Sequence, residues 1–260
     1  MTDTGPPGGD PVVLLHGFPE DRHCWAGVAE VLASAGYRCV VPDLRGDTPA
    51  CGPAGVAAYR LESSVADALA VADAAGAGRF HVVGHDLGAL VAWAAAARHP
   101  DRVATVAGVS VPHPAAMAAA LRHPDQARRS WYVAAFSVPG AEHLLAAGNR
   151  AGAAVLHASG LADPEAAGRY ARSLSEPAAA RRRLAWYRAL PGSGMSALPP
   201  VTVPSLFVHG RRDPFVGRRA AGLHRRWAPE GRQVDLDAGH WLPEDRAEAV
   251  AEAVLSLLDA

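Results

Sequence analysis

Short β-branched runs alternate along the chain with Ala- and Leu-rich stretches of helical periodicity, and this alternation restricts the fold more than any other feature. Strands that alternate with helices form a mostly parallel sheet covered by helices. We predict helices at residues 62–75, 87–98, 218–227 and 244–258, and strands at residues 12–16, 37–41, 80–84, 103–110, 205–209 and 233–236. The expected fold is therefore α/β, with its ligand crevice at the carboxyl ends of the strands.

The middle of the chain, residues 114–200, differs from the rest in composition. It is rich in Ala and Arg, is interrupted by Pro and Gly at "SVPG" and "LPGSG", and contains no convincing buried strand. We interpret it as a helical insertion between two strands that covers the crevice. The predicted division is an α/β core of residues 1–113 and 201–260 and a helical cap of residues 114–200.

Charge and cysteine content restrict the partners and the compartment. The 260 residues include 25 basic and 26 acidic ones, so the net charge of −1 does not favour nucleic acid or an anionic membrane surface. No apolar run approaches the ~20 residues of a membrane span. Three cysteines without C-x-x-C spacing favour the reducing cytoplasm. We expect a small substrate, no nucleic acid and no membrane partner, while a monomer and a homodimer both stay open.

The first ten residues, "MTDTGPPGGD", have neither the basic nor the apolar region of a signal peptide. Their Gly and Pro content is typical of a terminal segment without regular structure. The sequence therefore predicts a disordered leader before the first strand.

A Gly-x-nucleophile-x-Gly pattern, Gly84-His85-Asp86-Leu87-Gly88, joins a predicted strand to a predicted helix. Glycines at both ends allow a tight turn that exposes the central side chain at the top of the sheet. Aspartate is also a favoured helix N-cap, and its charge suits the positive end of a helix. Taken alone, the pattern supports Asp86 as a nucleophile and as a cap equally well.

Three further segments favour the nucleophile. "HGFP" follows the first predicted strand, where the backbone amide of Phe18 can point at the same place as the amide of Leu87 and form an oxyanion hole. Asp213 follows one later strand and His240 follows the next. The order nucleophile, acid, histidine is that of the α/β-hydrolase triad. Each segment also has a plainer interpretation, since "HGFP" suits a turn and Asp213 can cap the Pro214 turn.

Nucleotide and zinc chemistry have no motif in this chain. It lacks G-x-x-x-x-G-K-[ST], a complete G-x-G-x-x-G and H-E-x-x-H. We therefore predict a reaction without a cofactor or a metal.

The chain resembles the α/β-hydrolase superfamily and, within it, the epoxide hydrolases, from about residue 11 to the end. The resemblance rests on the segments "HGFPE", "VPDLRG", "GHDLGA", "VPHP", "WYRAL", "HGRRDP" and "GHWLPE". It implies an inserted cap whose Tyr132 and Tyr187 hold and protonate the epoxide oxygen. It also implies that Asp86 forms an ester with the substrate and that Asp213 and His240 activate water to hydrolyse this ester. The product is a vicinal diol, and the implied substrate is a small apolar epoxide.

Two departures from the epoxide hydrolase pattern concern the substrate. Leu87 stands where that branch usually has Trp, and Asp47-Thr48-Pro49 replaces its usual Tyr-Gly-x-Ser. A dehalogenase that uses the same Asp86 ester is an alternative, although Phe18, Leu87 and Leu90 stand where dehalogenases bind a halide or a carboxylate. A non-catalytic ligand-binding member of the fold is a second alternative.

Overall fold

A seven-stranded sheet of order β1-β3-β2-β4-β5-β6-β7 forms the centre of the computed structural model. The structure describes the backbone of residues 1–260 and every side chain except those of residues 149 and 150. β1 pairs antiparallel with β3, and all other neighbouring strands are parallel. The strands are β1 (Thr2–Thr4), β2 (Pro11–Leu15), β3 (Arg38–Val41), β4 (Phe80–His85), β5 (Val103–Val109), β6 (Ser205–Gly210) and β7 (Arg232–Leu236).

Consecutive residues of each strand enter two separate hydrophobic cores, because side chains alternate between the faces of a sheet. Val13 and Leu15 of β2 pack into the core on one face, and Val12 and Leu14 into the core on the other. Every one of these four side chains is at most 1% exposed. Strands buried on both faces are typical of a parallel sheet between helical layers, and this explains their nearly continuous β-branched sequences.

Seven of the thirteen α-helices follow one another between β5 and β6, with no strand among them. These are α4 (Pro114–Ala120), α5 (Pro124–Arg129), α6 (Trp131–Ser137), α7 (Ala141–Ala147), α8 (Asn149–Ala158), α9 (Pro164–Ser173) and α10 (Pro177–Ala189). The other six are α1 (Ala26–Ser34), α2 (Leu61–Ala74), α3 (Leu87–Arg98), α11 (Arg218–Leu223), α12 (Leu242–Asp245) and α13 (Ala247–Leu258). The α/β fold with inserted helices agrees with the sequence prediction.

Several elements of the structure differ in detail from the sequence prediction. The expected disordered leader is wrong, because residues 2–4 form β1 and extend the sheet beside residues 39–41. The predicted helix at 244–258 is two helices that break at Arg246, and the one at 218–227 becomes a 3-10 helix after Leu223. Helix α1 was not predicted. Within the described residues, no helix has the length and apolar character needed to cross a membrane.

Candidate active site

Asp86 lies in a sharp turn between β4 and α3. Its backbone has φ 49° and ψ −117°, a conformation that a residue with a side chain rarely adopts. A Cβ atom at Gly84 would lie 2.2 Å from the carbonyl oxygen of Gly88, and one at Gly88 would lie 2.2 Å from that of Leu15. Only glycine fits at both positions, so the motif builds the tight turn that exposes the Asp86 side chain.

Asp86 is the N-cap residue of helix α3, as one interpretation of the motif predicts, but its carboxylate does not cap the helix. Its side chain makes no capping hydrogen bond, and its Oδ1 accepts one from the Phe18 amide at 3.0 Å. No hydrogen bond from the Leu87 amide to this carboxylate is found in the described part of the chain. Burial raises the pKa of Asp86, but neighbouring histidines and the Phe18 amide outweigh burial and lower it below its ordinary value. The carboxylate is therefore ionised, and among the described residues its Oδ2 has no hydrogen bond to the backbone.

Asp213 and His240 meet Asp86 at the carboxyl ends of β6 and β7. Nδ1 of His240 donates to Oδ2 of Asp213 at 2.7 Å, and Nε2 of His240 lies 3.6 Å from Oδ2 of Asp86. Asp213 Oδ1 also accepts from the amides of Phe215 and Val216, at 2.7 and 3.0 Å. Asp213 therefore caps the turn, as one interpretation held, and orients the histidine as the other held.

His240 carries a proton in the free enzyme. Burial alone would lower its pKa, but the Asp213 and Asp86 carboxylates outweigh burial and raise it to about 10. The imidazolium is held between two anions, and it keeps its proton for as long as both anions keep their charges.

Tyr132 of α6 and Tyr187 of α10 reach the same place from the opposite side. Their ring centroids lie 6.0 Å apart, and both rings line one cavity together with Asp86. Burial, followed by the negative charge of Asp86, raises the pKa of both phenols well above the usual value. Both hydroxyls are therefore protonated at neutral pH and can donate a hydrogen bond.

The cavity has a volume of about 350 Å³ and is largely apolar. Aromatic rings surround its inner end, where Phe18 packs edge-on to Tyr187 with centroids 5.1 Å apart and Phe215 packs against His240 at 4.9 Å. Such a site suits a small ligand with few polar groups. Of the predicted site residues, Asp86, Tyr132, Tyr187, His240 and Phe18 line the cavity, and Asp213 lies behind His240.

Sequence reasoning assigned no role to Glu20 and His85, which hold the loop that contains His240. Nδ1 of His85 pairs with Glu20 at 2.8 Å, and its Nε2 lies 2.9 Å from the backbone oxygen of His240. The Ser110 hydroxyl donates to the same oxygen at 2.6 Å. Both residues stand in quoted segments, "HGFPE" and "GHDLGA". Their position beside recognised site residues was the available signal.

A second cluster, His16, Asp43 and Asp47, has the donor types of a metal site. The His16 ring nitrogens already face the Gly17 oxygen at 2.9 Å and the Asp47 carboxylate at 2.5 Å. Burial lowers the pKa of His16, but Asp47 outweighs it and raises the pKa to about 9. A metal would have to displace the proton from His16, and the ring nitrogens already face the Asp47 carboxylate and the Gly17 carbonyl, so the geometry of the cluster is that of a buried ion pair.

The chain matches the family model for the alpha/beta hydrolase fold over residues 10–247. It is 31% identical over 256 residues to the AB hydrolase superfamily protein YfhM of Bacillus subtilis, covering 95% of this chain and 89% of the relative. It is 32% identical, over an alignment 305 positions long with its gaps, to Epoxide hydrolase A of Mycobacterium tuberculosis, covering 99% of this chain and 93% of the relative.

Solved structures agree with this assignment. An epoxide hydrolase from a hot-environment metagenome superposes with a TM-score of 0.86 and 28% identity, over 99% of this chain and 93% of that one. Epoxide Hydrolase A from Mycobacterium thermoresistibile superposes with a TM-score of 0.78 and 27% identity, over 99% and 93%. The chain therefore belongs to the alpha/beta hydrolase fold family and is a hydrolase that resembles the epoxide hydrolases of that family.

Proposed function

We propose that this protein hydrolyses epoxides to vicinal diols through an ester of Asp86. The observation that carries the proposal is one apolar cavity with an ionised carboxylate on one side and two protonated tyrosines on the other. The relatives named as epoxide hydrolases support the same reaction.

In the first step, Oδ2 of Asp86 attacks one epoxide carbon and forms a C–O bond, while the ring C–O bond breaks. An alkoxide is a poor leaving group, so its oxygen needs a proton donor within hydrogen-bond reach. Tyr132 and Tyr187 supply that hydrogen bonding and orient the ring. Negative charge moves from Asp86 to the oxygen between them, which removes the charge that raised both phenol pKa values.

The protonated His240 supplies the proton that the alkoxide needs. The alkoxide takes a proton from a tyrosine, and the tyrosine recovers one from the His240 imidazolium. Esterification has removed the charge of Asp86, which helped to raise the pKa of His240, so that proton leaves more easily. The intermediate then contains a neutral ester, a substrate hydroxyl and a neutral imidazole.

In the second step, neutral His240 takes a proton from water, and the hydroxide attacks the ester carbonyl of Asp86. Asp213 holds the imidazole in position through its 2.7 Å hydrogen bond. The Phe18 amide, which already binds Oδ1, stabilises the oxyanion, and we assign the second donor to Leu87. Collapse breaks the bond between the Asp86 carbonyl carbon and the substrate oxygen, and this oxygen takes the proton of the hydroxyl group that came from water. The diol leaves, the Asp86 carboxylate is restored, and His240 keeps the proton that it took from water.

A single turnover in ¹⁸O-labelled water tests the ester. Mass spectrometry of the peptide containing Asp86 is expected to find label in the carboxylate, because water attacks the ester carbonyl. An active enzyme that transfers the label to the diol alone would act by direct water attack. Asp86→Asn serves as the inactive control.

An assay of styrene oxide beside chloroacetate and fluoroacetate separates this reaction from dehalogenation. Diol without halide is the expected product. Halide release without diol would favour the dehalogenase. If both Asp86→Asn and His240→Ala retain the biological effect, the protein is a ligand-binding member of the fold.

A further inference from the structure

The space around the catalytic aspartate is very unequal on its two sides. Asp86 lines the cavity of about 350 Å³, whereas the next residue, Leu87, lines a separate void of about 10 Å³. A void needs roughly 10 to 15 Å³ to hold one water molecule. Phe18 belongs to both linings. A ligand at Asp86 therefore has room along the large cavity and none beside Leu87.

Contacts between α10 and the core hold the small side closed. The Arg183 guanidinium donates to the carbonyls of Pro19 and Glu20, at 2.8 Å each, and lies 3.5 Å from Asp47. The Trp186 indole donates to the Arg45 carbonyl at 2.8 Å. Widening the void would break buried hydrogen bonds, each of which is expensive to leave unmade.

The large side opens to the surface between α6, α7 and α8. One face of α8 lines it through Ala151, Gly152 and Val155, at helical spacings of three and four residues, and Gly148, the residue before the helix, extends this wall. The mouth of this side is lined by three exposed apolar residues. They are Trp131, Leu144 and Val155, whose exposed fractions are 69%, 79% and 66%. Small residues along the wall and exposed apolar residues at the mouth leave room for a long substituent.

The Ser159 hydroxyl on this open side is already paired. The Ser159 hydroxyl donates to the Leu156 carbonyl at 2.7 Å and accepts from the Trp241 indole at 3.1 Å. A polar substituent there would lose its hydration without gaining a partner, and an anionic one would face the Asp86 charge. The wall therefore favours an apolar substituent.

We infer that the substrates are terminal epoxides, which carry one apolar substituent on one carbon and only hydrogens on the other. This inference rests on the proposed epoxide hydrolysis. The substituent extends from Asp86 along α8 to the open mouth, and the unsubstituted carbon faces the closed Leu87 side. The enzyme hydrolyses epoxides whose single substituent is long, and it hydrolyses epoxides with a second substituent on the other carbon poorly.

A matched set of three substrates tests the inference through kcat/KM for diol formation. Para-butylstyrene oxide lengthens the substituent of styrene oxide, whereas trans-β-methylstyrene oxide adds one methyl group to the other carbon. We expect the butyl compound to stay within about threefold of styrene oxide, and the methyl compound to fall about 10- to 200-fold below it. Equal values for styrene oxide and the methyl compound overturn the inference but leave epoxide hydrolysis intact. Absence of diol from all three, without label in Asp86, overturns the proposed function.

Two variants of α3 localise the restriction. Leu87→Ala enlarges the closed side, while Leu90→Ala removes a similarly buried leucine of the same helix that does not line the small void. We expect the rate ratio of the methyl compound to styrene oxide to rise about tenfold in Leu87→Ala and to stay constant in Leu90→Ala. An unchanged ratio in a folded Leu87→Ala protein contradicts the assignment. If the variant does not fold, the substrate series on the unmodified enzyme decides.

A second pair of variants tests the open side. Ala151→Phe narrows the wall, and Ala154→Phe places the same ring at an exposed position of α8 outside the lining. We expect Ala151→Phe to reduce kcat/KM for para-butylstyrene oxide about tenfold more than for styrene oxide, with no such difference in Ala154→Phe. Equal effects of both variants on the two substrates would mean that the substituent does not follow α8.

Discussion

At the scale of single residues, the charge of Asp86 acts on three groups around it. Asp213 and, after it, Asp86 raise the pKa of His240 against the effect of burial, whereas burial and, after it, Asp86 raise the pKa values of Tyr132 and Tyr187. The proposed reaction removes the charge of Asp86 by esterification, so it removes the Asp86 contribution to all three pKa values. In the proposed mechanism, one carboxylate thus links ring opening to water activation.

Asp86→Asn mimics the neutral ester and is expected to lower the pKa of His240 from about 10, because one of its two anionic neighbours is lost. NMR titration of the imidazole nitrogens measures this pKa directly. Asp73→Asn, which removes an exposed carboxylate at the far end of α2, is the control and should leave the titration unchanged. A pKa that stays near 10 in Asp86→Asn would show that Asp213 alone sets it.

Tyr187→Phe is expected to slow ring opening about 100-fold or more, since a general acid contributes roughly 10²- to 10⁴-fold. Hydrolysis of a preformed Asp86 ester should stay nearly unchanged, because the tyrosine does not take part in that step. Rapid-quench measurement of ester formation and decay separates the two rates. Tyr59→Phe removes a buried hydroxyl that has no hydrogen-bond partner in the part of the chain that the structure describes, and it is the matched control. Equal slowing of both steps would exclude the acid role.

At the scale of elements, α10 joins the inserted helices to the core. Arg183 is 6% exposed and binds the "HGFPE" loop and Asp47, and Tyr187, one turn later on the same helix, faces the cavity. The contacts between α10 and the core therefore have two effects. They position Tyr187, a proposed acid, and they close the small side of the site.

Arg183→Met is expected to lower the free energy of unfolding by about 2 to 4 kcal/mol, because two carbonyl groups and Asp47 lose a buried partner. Urea denaturation followed by circular dichroism measures the change. Arg181→Met, on the same helix, removes a largely exposed cation whose partner is Glu142 and should cost about 1 kcal/mol or less. Similar losses in both variants would mean that the buried contacts of Arg183 do not stabilise the fold.

At the scale of the whole molecule, buried histidines set the pH range of stability. Burial lowers the pKa of His113 to about 4 and that of His224 to about 3, so the unfolded chain binds more protons than the folded one below pH 6.5. The shifts of His16 and His240 have the opposite sign. The stability that they contribute is complete below the ordinary histidine pKa of about 6.5, and it is lost as pH rises from there to about 9 for His16 and about 10 for His240. These four histidines together therefore make the protein most stable near pH 6.5.

His224→Asn keeps a hydrogen-bond acceptor for the His113 amide, now 3.1 Å from the ring nitrogen, but does not titrate. The free energy of unfolding of the natural protein should fall between pH 6.5 and 4, with each buried histidine contributing roughly 3 kcal/mol at most. The free energy of unfolding of the His224→Asn variant should fall less steeply over the same pH range. Urea titrations at pH 4, 5, 6 and 7 measure both curves, and parallel curves would contradict the role of His224.

Local patterns determined the strands, the inserted helices and the turn at Asp86, because β-branched runs and a Gly-x-Asp-x-Gly segment act over a few residues. The pairing of residues 2–4 with β3 and the packing of Glu20 on His85 were decided only in the tertiary structure, since they join positions 35 to 65 residues apart. The shape of the cavity was also decided only in the tertiary structure. Leu87 was recognisable as a departure from the family, but the closed side it lines depends on how Arg183 and Trp186 dock from another part of the chain. The order of the residue types along the chain indicated the reaction. The shape of the substrate could be inferred only from the distances between those residues in the folded structure.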